Sequence, residues 1–222
     1  MKTIPLTIVD NFFDNPDSIK KLSEKLEFFA PAAPFYPGKR TKCLSEIHPP
    51  FFNYVNKKVF RLFFEDTKDI QYRTFLHFQK IENYEGKGWI HQDDDLFTFM
   101  IYFHKPNPEI NCGTSIWSLN SDLFHNINSV EEMDNSSKRK DHFKTGKVIN
   151  EYQEKHQKNF TKEISIPDKY NRLIAFSAEH FHSANNLNPV ENPRLALIGF
   201  VHEINRANLP ILRMNQTLYQ GY

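Results

Sequence analysis

From about residue 71 the chain reads as one short apolar segment after another. QYRTFLHFQKI, LFTFMIYFH, CGTSIW, FTKEISIP, YNRLIAFSA and PRLALIGFVHEI are rich in Phe, Ile, Thr and Tyr and are bounded by Gly, Pro or Asn. Such segments are strands rather than helices. Helical patterns come before them, so the order is helices first and then about eight short strands, which points away from an alternating βα fold. The expected class is mainly β with flanking helices (α+β), a β-rich barrel or sandwich with the N-terminal helices packed on one side.

The segment before residue 71 supplies those helices. Residues 4–9 (IPLTIV) read as a short strand. DNPDSIKKLSEKLEFF reads as a helix, with Asp14 or Asn15 as cap, Pro16 in the first turn, and Ile19, Leu22 and Leu26 on one face. PAAPFYPGKR (31–40) is too rich in Pro and Gly to be other than loop. A second helix is expected over about 50–64, where Phe52, Val55, Val59, Leu62 and Phe63 follow the 3–4 spacing of a buried stripe. Residues 119–160 are polar and rich in Asn, Ser and Lys. They read as an insert with a helix at about 147–158. The 222 residues are expected to form one domain. Within it, 1–70 are support, 71–118 and 161–206 the β core, and 119–160 the insert.

Composition narrows the function classes. With 28 basic and 27 acidic residues the formal net charge is +1, which gives no strong signal for nucleic acid or an anionic membrane. Two cysteines, Cys43 and Cys112, do not make a disulfide framework. The N-terminus MKTIPLTIVDNFFDNPD lacks the apolar core of a signal peptide. No apolar run approaches the roughly 20 residues of a membrane span. A soluble cytoplasmic protein is the expectation, with its oligomeric state open.

The chemistry sits in two places. His91-Gln92-Asp93 puts an imidazole and a carboxylate two residues apart, and in a strand residues i and i+2 share a face. One further His would complete a two-His-one-carboxylate triad, which leaves coordination positions open on iron(II). Taken alone, HQDDD is also what a solvated charged loop looks like. YNRLIAFSAEHFHSANN then offers two histidines of equal parity, His180 and His182, after a buried-looking strand. Arg194 opens the next apolar strand. Its planar fork suits a dicarboxylic acid, although a strand-edge Arg in water is the blander alternative. The other histidines show no pairing at ligand spacing and read as surface or core residues. Trp89 and the insert are candidates for substrate contact, with ordinary packing the plainer role for Trp89.

From about 75 to 201 the chain resembles the prolyl-hydroxylase-like iron(II)/2-oxoglutarate-dependent oxygenases. GWIHQDDDLFTFMIYFH, CGTSIW, NRLIAFSAEHFHSA and PRLALIGFV resemble four of their motifs, in the same order. IVDNFFDNPDSIKKLSEKLEF and FYPGKRT are similar to phage and bacterial members of unassigned substrate. The resemblance implies a double-stranded β-helix (jelly-roll, cupin-like) core. It also implies His91, Asp93 and His182 as catalytic metal ligands, Arg194 as the residue for the far carboxylate of 2-oxoglutarate, and Tyr102 as a hydroxyl donor to the same carboxylate. Within it His182 is preferred to His180, because small residues, Ser183-Ala184, follow it. Cys112 stands where the resemblance expects Gly, and the 119–160 insert is longer than in compact members. The implied reaction is hydroxylation of an unknown small-molecule or peptidyl substrate, coupled to decarboxylation of 2-oxoglutarate with Fe(II) and O2. A cupin-like metal enzyme without 2-oxoglutarate and a non-catalytic binding barrel are the alternatives. Arg194 argues against the first and the intact ligand set against the second.

Overall fold

Alternation along single strands sends neighbouring side chains of this protein into different cores. In a computed structural model the described residues are 5–32, 36–64, 67–82, 84, 87–120, 150–188 and 193–205. In chain order they form β1 (Thr7–Val9), α1 (Pro16–Ser23), β2 (Lys39–Arg40), α2 (Leu44–Ile47), α3 (Pro49–Phe60), β3 (Tyr72–Ile81), β4 (Phe97–Tyr102), β5 (Thr114–Leu119), α4 (Asn150–Gln157), β6 (Phe160–Ile166), β7 (Leu173–Ser177), β8 (Phe181–Ala184) and β9 (Arg194–Ile204). A six-stranded sheet runs β1-β7-β4-β9-β3-β2 and a three-stranded sheet runs β6-β5-β8. Every strand pairing in both is antiparallel.

On β4, Phe97, Phe99 and Ile101 point outward. They join a core with Phe12, Phe13, Leu44, Val55, Val59 and Phe60 from the N-terminal segment and helices. Each fully buried side chain of this kind contributes roughly 1.5–3 kcal/mol. The alternate residues of β4 and β9 point inward, and Tyr102, Ala196 and Ile198 meet Ile116 of the smaller sheet. Gly199 lies opposite Phe99 in the β4–β9 register. A Cβ at that position would fall inside the Phe99 ring, so only glycine lets the ring lie flat across β9.

The expected α+β layout, with N-terminal helices covering one side of a β core, describes this arrangement. Several boundaries differ from expectation. The first helix is capped by Asn15, whose Oδ1 accepts from Ser18 N at 3.2 Å, but it ends at Ser23 rather than near Phe29. The Ser23 hydroxyl donates back to the Lys20 carbonyl, and the following residues turn toward β2, where Phe29 pairs with Arg40. The loop over 31–40 accordingly ends in strand β2. The second helix begins at Pro49, capped by His48, and ends at Phe60. Leu62, expected on its buried stripe, lies in the turn beyond and is exposed. Of the helix expected at about 147–158, residues 150–157 are helical, whereas 147–149 and most of the insert lie outside the described residues. No helix among the described residues is long and apolar enough to cross a membrane.

Candidate metal centre and cavity

His91 does not lie in a regular strand, as the spacing rule assumed. It forms an isolated antiparallel bridge to His182. The two residues exchange backbone hydrogen bonds, His91 N to His182 O at 3.0 Å and His182 N to His91 O at 2.8 Å. Residues opposed in this way carry their side chains on one face, and the two imidazoles stand 4.3 Å apart. Gly88 makes the approach possible. Its N–H donates to Ala184 O at 2.9 Å, and a Cβ there would meet the Ala184 backbone at 2.6 Å. Asp93 is fixed by its own N–H, which donates to Ala178 O at 3.1 Å. The distal histidines are not on one strand either. Ser177 ends β7, His180 lies in the turn, and His182 sits on the separate strand β8.

The ring nitrogens are sorted by local hydrogen bonds. His91 Nδ1 donates to the Trp89 carbonyl at 2.8 Å, and His182 Nδ1 donates to the His180 carbonyl at 2.9 Å. A carbonyl only accepts, so each Nδ1 carries the proton and each Nε2 is the lone-pair nitrogen. Those two Nε2 atoms and the Asp93 carboxylate lie within 4.8 Å of one another. His91 Nε2 is 3.6 Å from Asp93 Oδ1, and His182 Nε2 is 3.4 Å from Asp93 Oδ2. These separations are longer than hydrogen bonds. They are near the roughly 3 Å between neighbouring donors of an octahedral ion with bonds of about 2.1 Å. Thr98 Oγ1, on the inner face of β4, donates to Asp93 Oδ2 at 2.7 Å and orients the carboxylate. The donor set therefore fits a six-coordinate divalent metal held on one face. His180 takes part through its backbone carbonyl, not its ring.

A cavity of about 270 Å³ opens beside the triad, and its walls include Arg194, Thr114, Met100, Trp89 and Arg40. Arg194, at the start of β9, is 2% exposed. Its Nε donates to the Cys112 carbonyl at 3.0 Å, and its guanidinium lies 5.5 Å from the centre of the Tyr102 ring. Among the described residues no carboxylate lies within ion-pair distance of it. A buried cation in that position calls for an anion. Tyr102 is fully buried and does not line the cavity. Its hydroxyl bonds Thr114 Oγ1 at 2.9 Å, and Thr114 is a wall residue. Burial raises the Tyr102 pKa, so its hydroxyl remains protonated and able to donate.

Residues outside the metal and cosubstrate set support this cavity. Cys112 supplies backbone at both ends. Its carbonyl receives Arg194, and its N–H donates to Asp168 Oδ1 at 2.7 Å. Asp168 Oδ2 in turn accepts from His104 Nε2 at 2.9 Å, and both side chains are buried. Burial alone would raise the Asp168 pKa, but the His104 hydrogen bond and charge, with the Cys112 N–H, hold it below its ordinary value. The Cys112 thiol is pushed up to about 11, chiefly by burial, so it is no thiolate nucleophile at neutral pH. On the other flank α4 packs on the His91 segment. His156 Nε2 donates to the Ile90 carbonyl at 2.8 Å and its ring stacks on Trp89 at 4.4 Å, while Gln153 Nε2 donates to the Lys87 carbonyl at 3.1 Å. His104 and His156 carried no signal in the sequence, because their partners are remote in the chain.

Two facing antiparallel sheets with a His/Asp/His cluster at one end of the interior define the double-stranded β-helix class. The chain belongs to the family of unknown function DUF6445, which matches residues 1–193. No curated protein matches it in sequence. HygX from Streptomyces hygroscopicus, solved with nickel and 2-oxoglutarate bound, superposes with a TM-score of 0.51 at 12% identity, over 89% of this chain and 82% of that one. The same protein with nickel, 2-oxoglutarate and hygromycin B bound gives 0.51 at 11% identity, over 89% and 82%. An oxidoreductase of the 2OG-Fe(II) oxygenase family from Burkholderia pseudomallei gives 0.48 at 10% identity, over 89% and 84%. At such identities the likeness to HygX shows the fold alone.

Proposed function

We propose that this protein is an iron(II)- and 2-oxoglutarate-dependent oxygenase, a hydroxylase in outcome, acting on a small-molecule or peptidyl substrate. One observation carries the reading. The two lone-pair Nε2 atoms and the Asp93 carboxylate converge on the same cavity that Arg194 lines. HygX, which shares the fold, holds nickel and 2-oxoglutarate, and that supports a metal and a keto acid here as well.

His91, Asp93 and His182 would hold the metal, with the two Nδ1–H donations fixing the ring planes and Thr98 fixing the carboxylate. Arg194 receives the far carboxylate of 2-oxoglutarate through its planar fork, held in place by the Cys112 carbonyl and the Tyr102 ring. Thr114 contributes a hydroxyl to the wall of the same cavity, and Tyr102 acts by orienting Thr114 rather than by reaching the carboxylate itself. Iron(II) with 2-oxoglutarate and O2 supplies the oxidising power for a C–H bond, releasing CO2 and succinate. The protein positions the reactants and shields them from water. A cupin-like metal enzyme without 2-oxoglutarate would have no use for the buried Arg194.

Anaerobic titration with iron(II) and 2-oxoglutarate tests the reading through the weak visible charge-transfer band of the chelate. The wild type should develop the band, His182→Ala should lose it and His180→Ala should keep it. No band in the wild type would remove the basis of the proposal. Arg194→Gln should weaken 2-oxoglutarate binding by about 2–4 kcal/mol, read as a shifted titration midpoint.

A further inference from the structure

The turn Tyr36-Pro37-Gly38-Lys39-Arg40 is a built part of the cavity wall that neither the metal ligands nor the cosubstrate residues account for. Tyr36, Pro37 and Arg40 all line the cavity. Gly38 has φ 73°, and a Cβ there would collide with the Lys80 carbonyl, so the turn needs glycine for both conformation and space. Gln79, 4% exposed, donates its side-chain amide to the Pro37 carbonyl at 2.7 Å. Arg40 lies opposite Gln79 in the β2–β3 register, so both project inward. Its guanidinium carbon stands 3.7 Å from the centre of the Tyr36 ring and 5.3 Å from that of Phe200. A guanidinium held on aromatic faces keeps its N–H donors in its own plane, which is the arrangement that recognises a planar or tetrahedral oxyacid.

The cosubstrate does not call for this second cation. The proposed function already assigns a guanidinium, that of Arg194, to the far carboxylate of 2-oxoglutarate. Along the inner face, Gln79 opposes Ala196 and Ile81 opposes Arg194. Arg40 therefore stands on a different row from Arg194, at the β2 edge of the sheet. Trp89, Tyr36 and Phe200 supply aromatic surface in the same cavity.

We infer that Arg40 is the specificity-determining residue for the substrate. The substrate carries a carboxylate or phosphate that Arg40 receives, with an adjoining apolar or aromatic portion against Tyr36, Phe200 and Trp89. This rests on the assignment of Arg194 to 2-oxoglutarate.

The test uses protein loaded with nickel(II) and 2-oxoglutarate, titrated by calorimetry with benzoate, phenyl phosphate and neutral benzamide. One or both anions should bind saturably and about tenfold or more tighter than benzamide. Which of the two wins separates a carboxylate from a phosphate substrate. Arg40→Gln should abolish the preference, and Arg40→Lys should keep part of it, so a fold-disrupting effect of the first variant does not decide the matter. Equal binding of benzamide, absence of anion binding to the wild type, or an unchanged preference in Arg40→Gln overturns the inference. So does 2-oxoglutarate binding that is lost in Arg40→Gln and kept in Arg194→Gln. Failure of 2-oxoglutarate to bind at all counts instead against the proposed function. In that event the same anion titration, run on Arg194→Gln without the keto acid, still reads Arg40.

Discussion

Each histidine of the triad is oriented by a carbonyl two residues before it, so its ring plane follows from local backbone. Asp93 is different, because the hydroxyl that orients it comes from Thr98 on β4. Valine has the shape of threonine without the hydroxyl. Thr98→Val should therefore leave the Asp93 carboxylate less well oriented and raise the dissociation constant for cobalt(II) or nickel(II) about 10–100-fold. Melting of the metal-free protein should change little by comparison. An unchanged metal affinity would mean that the Thr98 contact is incidental. At this scale much of the candidate site was legible in HxD, the paired histidines and the following Arg. Thr98 was not, since nothing local distinguishes it from the outward-facing Thr of any strand.

Among the elements, α4 has an unexpected role. Read as part of a polar insert, its described residues grip the His91 segment through His156 and Gln153. The segment 87–91 forms no regular strand, so its position depends on contacts with β8 and α4. His156→Leu should weaken metal binding roughly tenfold. His156→Gln, which keeps a side-chain N–H donor, should recover part of the loss. A fall in melting temperature with unchanged metal affinity in both variants would reduce His156 to a packing residue. That β4 is a strand could be read from the sequence, although both of its faces are largely apolar, Phe97, Phe99 and Ile101 on one side and Thr98, Met100 and Tyr102 on the other. The isolated bridge of His91 could not, because its pairing partner is 91 residues away in the chain.

At the scale of the molecule, ionic ties join distant parts of the β core. Arg172 and Lys169 bind Asp10, linking the segment after β1 to the start of β7, and these hydrogen bonds hold the Asp10 carboxyl well below the usual range. His104 and Asp168 form the buried tie that ends at Arg194. Both carboxyl pKa values are depressed on folding. Their contribution to stability is therefore present above the unfolded value near 3.9 and is lost as pH falls through the lower folded values. Thermal melting should decline below about pH 4, and Asp168→Asn should flatten that decline while costing about 3 kcal/mol at neutral pH. A variant as stable as wild type at pH 7 would contradict the role given to the pair. The amino-acid sequence alone determined the α+β order and the residue types from which a metal site could be drawn, because apolar segments, turns and short motifs are local. Only the tertiary structure decided that the His182 ring faces the cluster while His180 lends a carbonyl, that Tyr102 backs Thr114, and that Arg40 shares the cavity. Those outcomes depend on the register between strands far apart in the chain, and a local pattern holds no record of register.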